Sequence, residues 1–240
     1  MYLGLYYCFP TYLSNDALMD NSPNSFDVLT HQNEKLFEKI TSDLAQQSYS
    51  VSPKALPKDM ADELRAYITN AEAVQFSQAG IGRDSQLMHS EKVRGDKIAW
   101  ITDESKIGKH WLNWTEAMQA YLNRHLFLGL FSFESHFAHY SEGDFYQRHY
   151  DAFKGEANRI LSLVVYLNRE WLESDGGELL IYEQDSDKQG IKVKPEMGTV
   201  VVFLSEEIAH EVLSPIRDRY SIAGWFRVNT SRSGKIDPPM

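Results

Sequence analysis

From Gly129 onward the chain breaks into short apolar runs that leave little choice of fold. Leu130–Tyr140 (LFSFESHFAHY), Ile160–Asn168 (ILSLVVYLN), Glu178–Tyr182 (ELLIY), Thr199–Leu204 (TVVVFL) and Tyr220–Val228 (YSIAGWFRV) are rich in β-branched and aromatic residues. Gly176-Gly177 and the Pro195–Gly198 stretch punctuate them. Runs of this length and composition between turn residues read as strands. The first half has helical spacing instead. Leu36, Phe37, Ile40 and Leu44 mark a helix over 30–47, which Thr30 or Asn33 would cap. Met60, Leu64 and Ile68 mark a second helix opened by Pro57, and Trp111, Trp114, Met118 and Tyr121/Leu122 a third. Residues 48–56 read as a short strand and turn, and Ile98–Ile101 as a strand. Helices followed by strands predict an α+β, mainly β fold: a sandwich or barrel with helices packed on one sheet.

The organisation follows. Residues 1–29 read as leader and linker, and 30–128 as a helical support region. Within that region, 79–97 form a glycine-rich, aperiodic loop of the kind that covers a site. Residues 129–230 form the β core and 231–240 a tail. The 240 residues carry a formal charge of −10 and no long basic cluster, which argues against a partner bound through its phosphate backbone, DNA or RNA. Cys8 is the single cysteine, so an internal disulfide or a cysteine zinc site is excluded and a reducing cytoplasm is expected. The opening MYLGLYYCFP lacks a basic flank and is too short to span a bilayer. It reads as an incidental leader or a small hydrophobic docking segment.

His149-Tyr150-Asp151 is the chemical focus. On an extended strand, residues two apart point to the same face, so an imidazole and a carboxylate can converge. His210 is a third candidate ligand. Two His, one carboxylate and open coordination positions describe a non-haem Fe(II) oxygenase centre. Strand parity adds a pocket. In the run from Arg219, one face carries Arg219, Ser221, Ala223 and Trp225, and the other Tyr220, Ile222, Gly224 and Phe226, the natural side to meet helices. Arg219 then lies in the interior, where a guanidinium needs an anion. Ser162, Val164, Tyr166 and Asn168 share a face of their run, and a buried tyrosine hydroxyl needs a partner. A metal-chelating dicarboxylate such as 2-oxoglutarate would answer both demands; a structural carboxylate paired with Arg219 is the plainer alternative.

RGDKIAWI (Arg94–Ile101), HYD (His149–Asp151), YLNREW (Tyr166–Trp171), GGELLIY (Gly176–Tyr182) and HEVLSPIRDRYSIAGWF (His210–Phe226) together resemble the egl-nine-type, iron- and 2-oxoglutarate-dependent prolyl hydroxylases. These include bacterial relatives acting on elongation factor Tu. The resemblance runs from about Val93 to Val228. It implies a double-stranded β-helix (jelly-roll) barrel, with Fe(II) on His149, Asp151 and His210. It implies 2-oxoglutarate on Arg219 and Tyr166, with Tyr140, Leu179 and Trp225 lining its pocket. Arg159, Arg94 and Asp96 are implied in substrate contact, the last two on a covering loop. Dioxygen is the second co-substrate and ascorbate an accessory reductant. The expected partner is a protein with an accessible proline, elongation factor Tu foremost; the expected protein is a monomer with no nucleic-acid or membrane partner. His136 and His139 are expected to line the pocket or support the ligands. His136 stands at a position usually apolar in the family, and Ala223 where a small hydroxyl residue is usual. Two other readings stay open: an oxygenase for another side chain or a small metabolite, and a non-catalytic β-barrel binding module.

Overall fold

Cross-strand pairing arranges the second half of the chain, joined by three short strands from the first, as two antiparallel sheets that share one interior. The computed structural model describes residues 25–70, 72–79, 93–152, 158–229, 231–232 and 235–236. The elements are α1 (Ser25–Gln47), β1 (Tyr49–Ser52), α2 (Lys58–Ile68), β2 (Ser77–Gln78), β3 (Lys97–Trp100), α3 (Lys106–Leu126), β4 (Leu130–Tyr140) and β5 (Tyr146–His149). They continue with β6 (Arg159–Tyr166), β7 (Leu179–Tyr182), β8 (Ile191–Val193), β9 (Val200–Leu204), β10 (Ala209–Val212) and β11 (Arg219–Val228). The hairpin of β12 (Ser231–Arg232) and β13 (Lys235–Ile236) follows. The major sheet has the order β1-β9-β6-β11-β4-β3-β2 and the minor sheet β5-β10-β7-β8. This is the mainly β, double-stranded β-helix arrangement expected.

Alternation along the strands divides the core in two. Phe37, Ile40, Leu44, Met60, Leu64, Trp111, Trp114 and Met118 from the helices bury against Phe137, Leu163, Val202, Ile222 and Phe226 on the outer face of the major sheet. Each such side chain contributes roughly 1.5–3 kcal/mol by leaving water. The inner face supplies Ala138, Tyr140, Tyr166, Val201 and Phe203, which meet Leu179, Ile181, Val193 and Val212 of the minor sheet. The expected helical stripes are therefore packing surfaces, and Ile222 and Phe226 do turn toward the helices.

Differences lie at the ends of elements. Helix α1 begins at Ser25, inside the stretch read as linker. Pro57 caps α2 from outside its first turn, and Ser105 caps α3 by accepting the Gly108 amide at 3.0 Å. Strands β2, β8 and β10 match none of the runs read as strands, and β5, expected to extend through Asp151, ends at His149. Asn168, expected on the inward face, instead lies past the end of β6. It donates to the Pro195 and Tyr220 carbonyls and accepts from the Tyr220 amide, so it fixes where β11 starts. Most of the expected covering loop, 80–92, and of the leader and tail lies outside the described residues. The RGDK end of that loop is described. The Gln147 amide donates to the Val93 carbonyl at 2.9 Å and the Gly95 amide to the Phe145 carbonyl at 3.0 Å, so this segment shields the free edge of β5. Among the described residues no helix is long and apolar enough to cross a membrane.

Candidate active site

His149 and His210 are direct cross-strand partners of β5 and β10. That pairing places their rings 4.3 Å apart between centroids. Asp151 does not continue the strand. β5 ends at His149, and Asp151 sits in the bend beyond it. The bend brings its carboxylate to both rings: Oδ1 lies 3.6 Å from His149 Nε2 and Oδ2 lies 3.7 Å from His210 Nε2. The extended geometry expected for His-x-Asp is therefore corrected, while the convergence it was meant to explain stands. One donor atom from each residue lies within 4.8 Å of the others, the one such group among the described residues.

The ring nitrogens are sorted by the backbone. His149 Nδ1 lies 2.7 Å from the Gln147 carbonyl and His210 Nδ1 3.3 Å from that of Ile208. A carbonyl only accepts, so each Nδ1 carries the proton and each Nε2 presents a lone pair to the shared space. Burial, together with the neighbouring His149, lowers the pKa of His210 to about 4, which keeps it in the neutral form that binds metals. Burial raises the cost of charge on Asp151. The two imidazoles beside its oxygens and the hydrogen bond that Ser162 donates outweigh it, and hold the carboxyl well below the usual range. Two imidazoles and one carboxylate are the donor set that suits Fe(II) with positions left open.

Deeper in, Arg219 is 1 % exposed. Its Nε donates to the Gly177 carbonyl at 2.8 Å and Nη1 to Ser221 Oγ at 3.4 Å, and its guanidinium lies against the rings of Tyr140 and Tyr166. No carboxylate among the described residues pairs with it. The Tyr166 hydroxyl is buried with no hydrogen-bond partner, and burial raises its pKa to about 12, opposed only in part by Arg219. An unneutralised guanidinium beside an unsatisfied hydroxyl is a cradle for a carboxylate. Tyr140 and Tyr166, whose rings flank the guanidinium, pack with Leu179 in one interior cluster. The structural-carboxylate alternative for Arg219 finds no support among the described residues.

The outer residues are more tied down than expected. Arg94 grips Asp96 in a fork, Nε to Oδ1 at 2.7 Å and Nη2 to Oδ2 at 2.6 Å. Arg94 also lies over the Tyr146 ring, which stacks on His149 at 3.6 Å. Arg159 bonds Glu134 at 2.8 Å and lies 3.7 Å over the Trp225 ring. His136 is buried on the inward face between Trp100 and Trp225. His139 is not. It falls on the opposite face, stacked on Tyr220 with Nε2 3.0 Å from Asp218, because residues an odd number apart on β4 point oppositely. Sequence reasoning also passed over Ser205, although Ser162 lay on its polar face: Ser162 donates to Asp151 Oδ2 at 2.6 Å and lies 2.9 Å from Ser205 Oγ.

Comparison with known proteins agrees with this geometry. The family model described as the 2OG-Fe(II) oxygenase superfamily matches residues 135–227, which hold all three candidate ligands and Arg219. A prolyl-4-hydroxylase from Pseudomonas putida is 37% identical, with a TM-score of 0.72; the match covers 80% of this chain and 99% of that one. The chain belongs to the 2OG-Fe(II) oxygenase superfamily. Two further structures share the fold. One is a prolyl hydroxylase from Trichoplax adhaerens in complex with a hypoxia inducible factor oxygen degradation domain peptide fragment: 22% identity, TM-score 0.70, 86% of this chain and 94% of that one. The other is a viral collagen prolyl hydroxylase from Paramecium Bursaria Chlorella virus-1: 20% identity, TM-score 0.54, 77% and 98%. As a 2OG-Fe(II) oxygenase the protein is a dioxygenase with Fe(II) as its cofactor and 2-oxoglutarate and dioxygen as co-substrates.

Proposed function

We propose that this 2OG-Fe(II) oxygenase hydroxylates a prolyl residue in a protein substrate in the cytoplasm, with elongation factor Tu the leading candidate. The observation that carries the prolyl reading is the 37% identity to a prolyl-4-hydroxylase over 99% of that chain's length. In this reading His149, Asp151 and His210 hold the iron. Arg219 takes the distal carboxylate of 2-oxoglutarate and the Tyr166 hydroxyl donates to it. Tyr140, Leu179 and Trp225 wall the pocket and exclude water. Arg94, Asp96 and Arg159 shape the mouth through which the substrate chain enters. Their engagement within the protein supports a shaping role, because a guanidinium locked on a neighbouring carboxylate offers a fixed surface. Iron, 2-oxoglutarate and dioxygen supply the oxidising chemistry that yields succinate, carbon dioxide and the hydroxylated product.

Mass spectrometry of the cell's own elongation factor Tu, with and without this protein, tests the proposal. The expected result is one proline that gains an oxygen only in its presence, with no gain for His149→Ala. Succinate formation stimulated by a small metabolite, but never by proline-containing proteins or peptides, would overturn it.

A further inference from the structure

Two serine hydroxyls beside the iron site have no role in the chemistry described so far. Ser162 lies on β6 and Ser205 just past the end of β9, 1 % and 0 % exposed. Strands β6 and β9 are otherwise almost wholly apolar, and Ser162 is flanked across the sheet by Phe203 and Trp225. A hydroxyl buried in such surroundings is costly unless it is hydrogen-bonded, and an apolar residue would pack as well. What these two hydroxyls touch is each other and Asp151.

The proton count fixes the direction of the chain. Each serine has one hydrogen to donate. Ser162 gives its own to Asp151 Oδ2 at 2.6 Å, so the 2.9 Å contact with Ser205 is one in which Ser205 donates. Ser205 therefore acts on Asp151 only through Ser162. Its position ties it to a second ligand as well. The Ser205 amide bonds the Ile160 carbonyl at 3.0 Å, and the following turn is closed by the Ile208 amide on the Leu204 carbonyl, two residues before His210.

We propose that Ser205 and Ser162 form a hydrogen-bonded relay that positions Asp151 for one-oxygen ligation of the iron. This rests on the assignment of Asp151 as an iron ligand. A carboxylate with Oδ2 committed to a short hydrogen bond offers Oδ1 as its better donor. It then occupies one coordination position and not two, leaving room for 2-oxoglutarate and dioxygen. Both serines are positioning residues: they act through Asp151 and touch neither substrate nor co-substrate.

Anaerobic calorimetry of Fe(II) binding tests the relay, with the absorption of the Fe(II)–2-oxoglutarate complex as a second readout. Ser162→Ala is expected to weaken Fe(II) about ten- to a hundred-fold, the usual range for losing a partner of a metal ligand, and to shift the absorption band. Ser162→Thr keeps the hydroxyl and is expected to stay near the parent. Ser205→Ala is expected to weaken Fe(II) less, and to add nothing in the Ser162→Ala background. Two independent packing defects would give effects that multiply, and that result would overturn the relay. Asp151→Ala separates the two levels. Loss of iron binding there with an unchanged Ser162→Ala protein sinks the relay alone. Retained iron binding in Asp151→Ala sinks the ligand assignment beneath it. Urea unfolding of each variant separates a fold defect from a site defect.

Discussion

Arg219 carries more of the site's logic than any other single residue outside the three proposed ligands. It is a buried cation held by a carbonyl, a hydroxyl and two aromatic faces, with no carboxylate beside it among the described residues. Such a charge is expensive until an anion arrives. Arg219→Ala should therefore weaken 2-oxoglutarate by roughly a hundred-fold or more while leaving Fe(II) affinity near the parent, read by anaerobic calorimetry. His136 makes a different prediction. Burial, helped by the nearby Arg94 and Arg159, lowers its pKa to about 4 from an ordinary 6.5. As pH falls below 6.5 the unfolded chain takes up a proton that the folded protein refuses until about 4, so stability is lost across that window. In metal-free protein, His136→Leu should lose about 2 kcal/mol less than the parent between pH 7 and pH 5 in urea unfolding. The interior place of Arg219 and Tyr166 was legible from strand parity alone. The outward turn of His139 was equally available from parity, but proximity in sequence to the site masked it.

Among elements, the long helices and the apolar strands were legible because their side chains repeat with the period of the backbone that carries them. The short strands that carry His149 and His210 show no such repeat. Tyr146–His149 and Ala209–Val212 read YQRH and AHEV, too short and too polar to show a hydrophobic face. The turn before β7 offers a test at this scale. Gly177 has φ +69, and an added Cβ would lie 3.1 Å from Arg219 Cδ and 3.0 Å from Pro215 Cβ. Its carbonyl is also the acceptor for Arg219 Nε. Gly177→Ala should cost about 1–2 kcal/mol from the left-handed backbone alone. It should also raise the KM for 2-oxoglutarate several-fold with Fe(II) affinity nearly unchanged. Urea unfolding and steady-state titration of 2-oxoglutarate check the two halves; an unaltered KM would separate this turn from the anchor.

At the scale of the whole molecule, the site lies where the two sheets face each other. The two His stand on the minor sheet and Arg219 on the major one, with Asp151 in the connection between them. Occupancy should therefore stiffen the contact between sheets as well as the site. A metal at a hundred times its Kd adds about 2.7 kcal/mol of stability. Mn(II) and 2-oxoglutarate should raise Tm in two increments, and Arg219→Ala should keep the first and lose the second. Equal increments in that variant would mean that the co-substrate binds elsewhere.

The sheet order holds one more consequence, for the way the protein is made. Strand β11 lies between β4 and β6, in the middle of the major sheet, yet it follows ten other strands along the chain. A ribosome therefore delivers both neighbours long before the strand that joins them. Until then β4 and β6 each present an open edge, and Tyr140 and Tyr166 have no cation between them. The nascent chain must wait, partly assembled, for a segment whose first residue is the proposed anchor of 2-oxoglutarate. Completion of the barrel and completion of the cradle around Arg219 are the same late event.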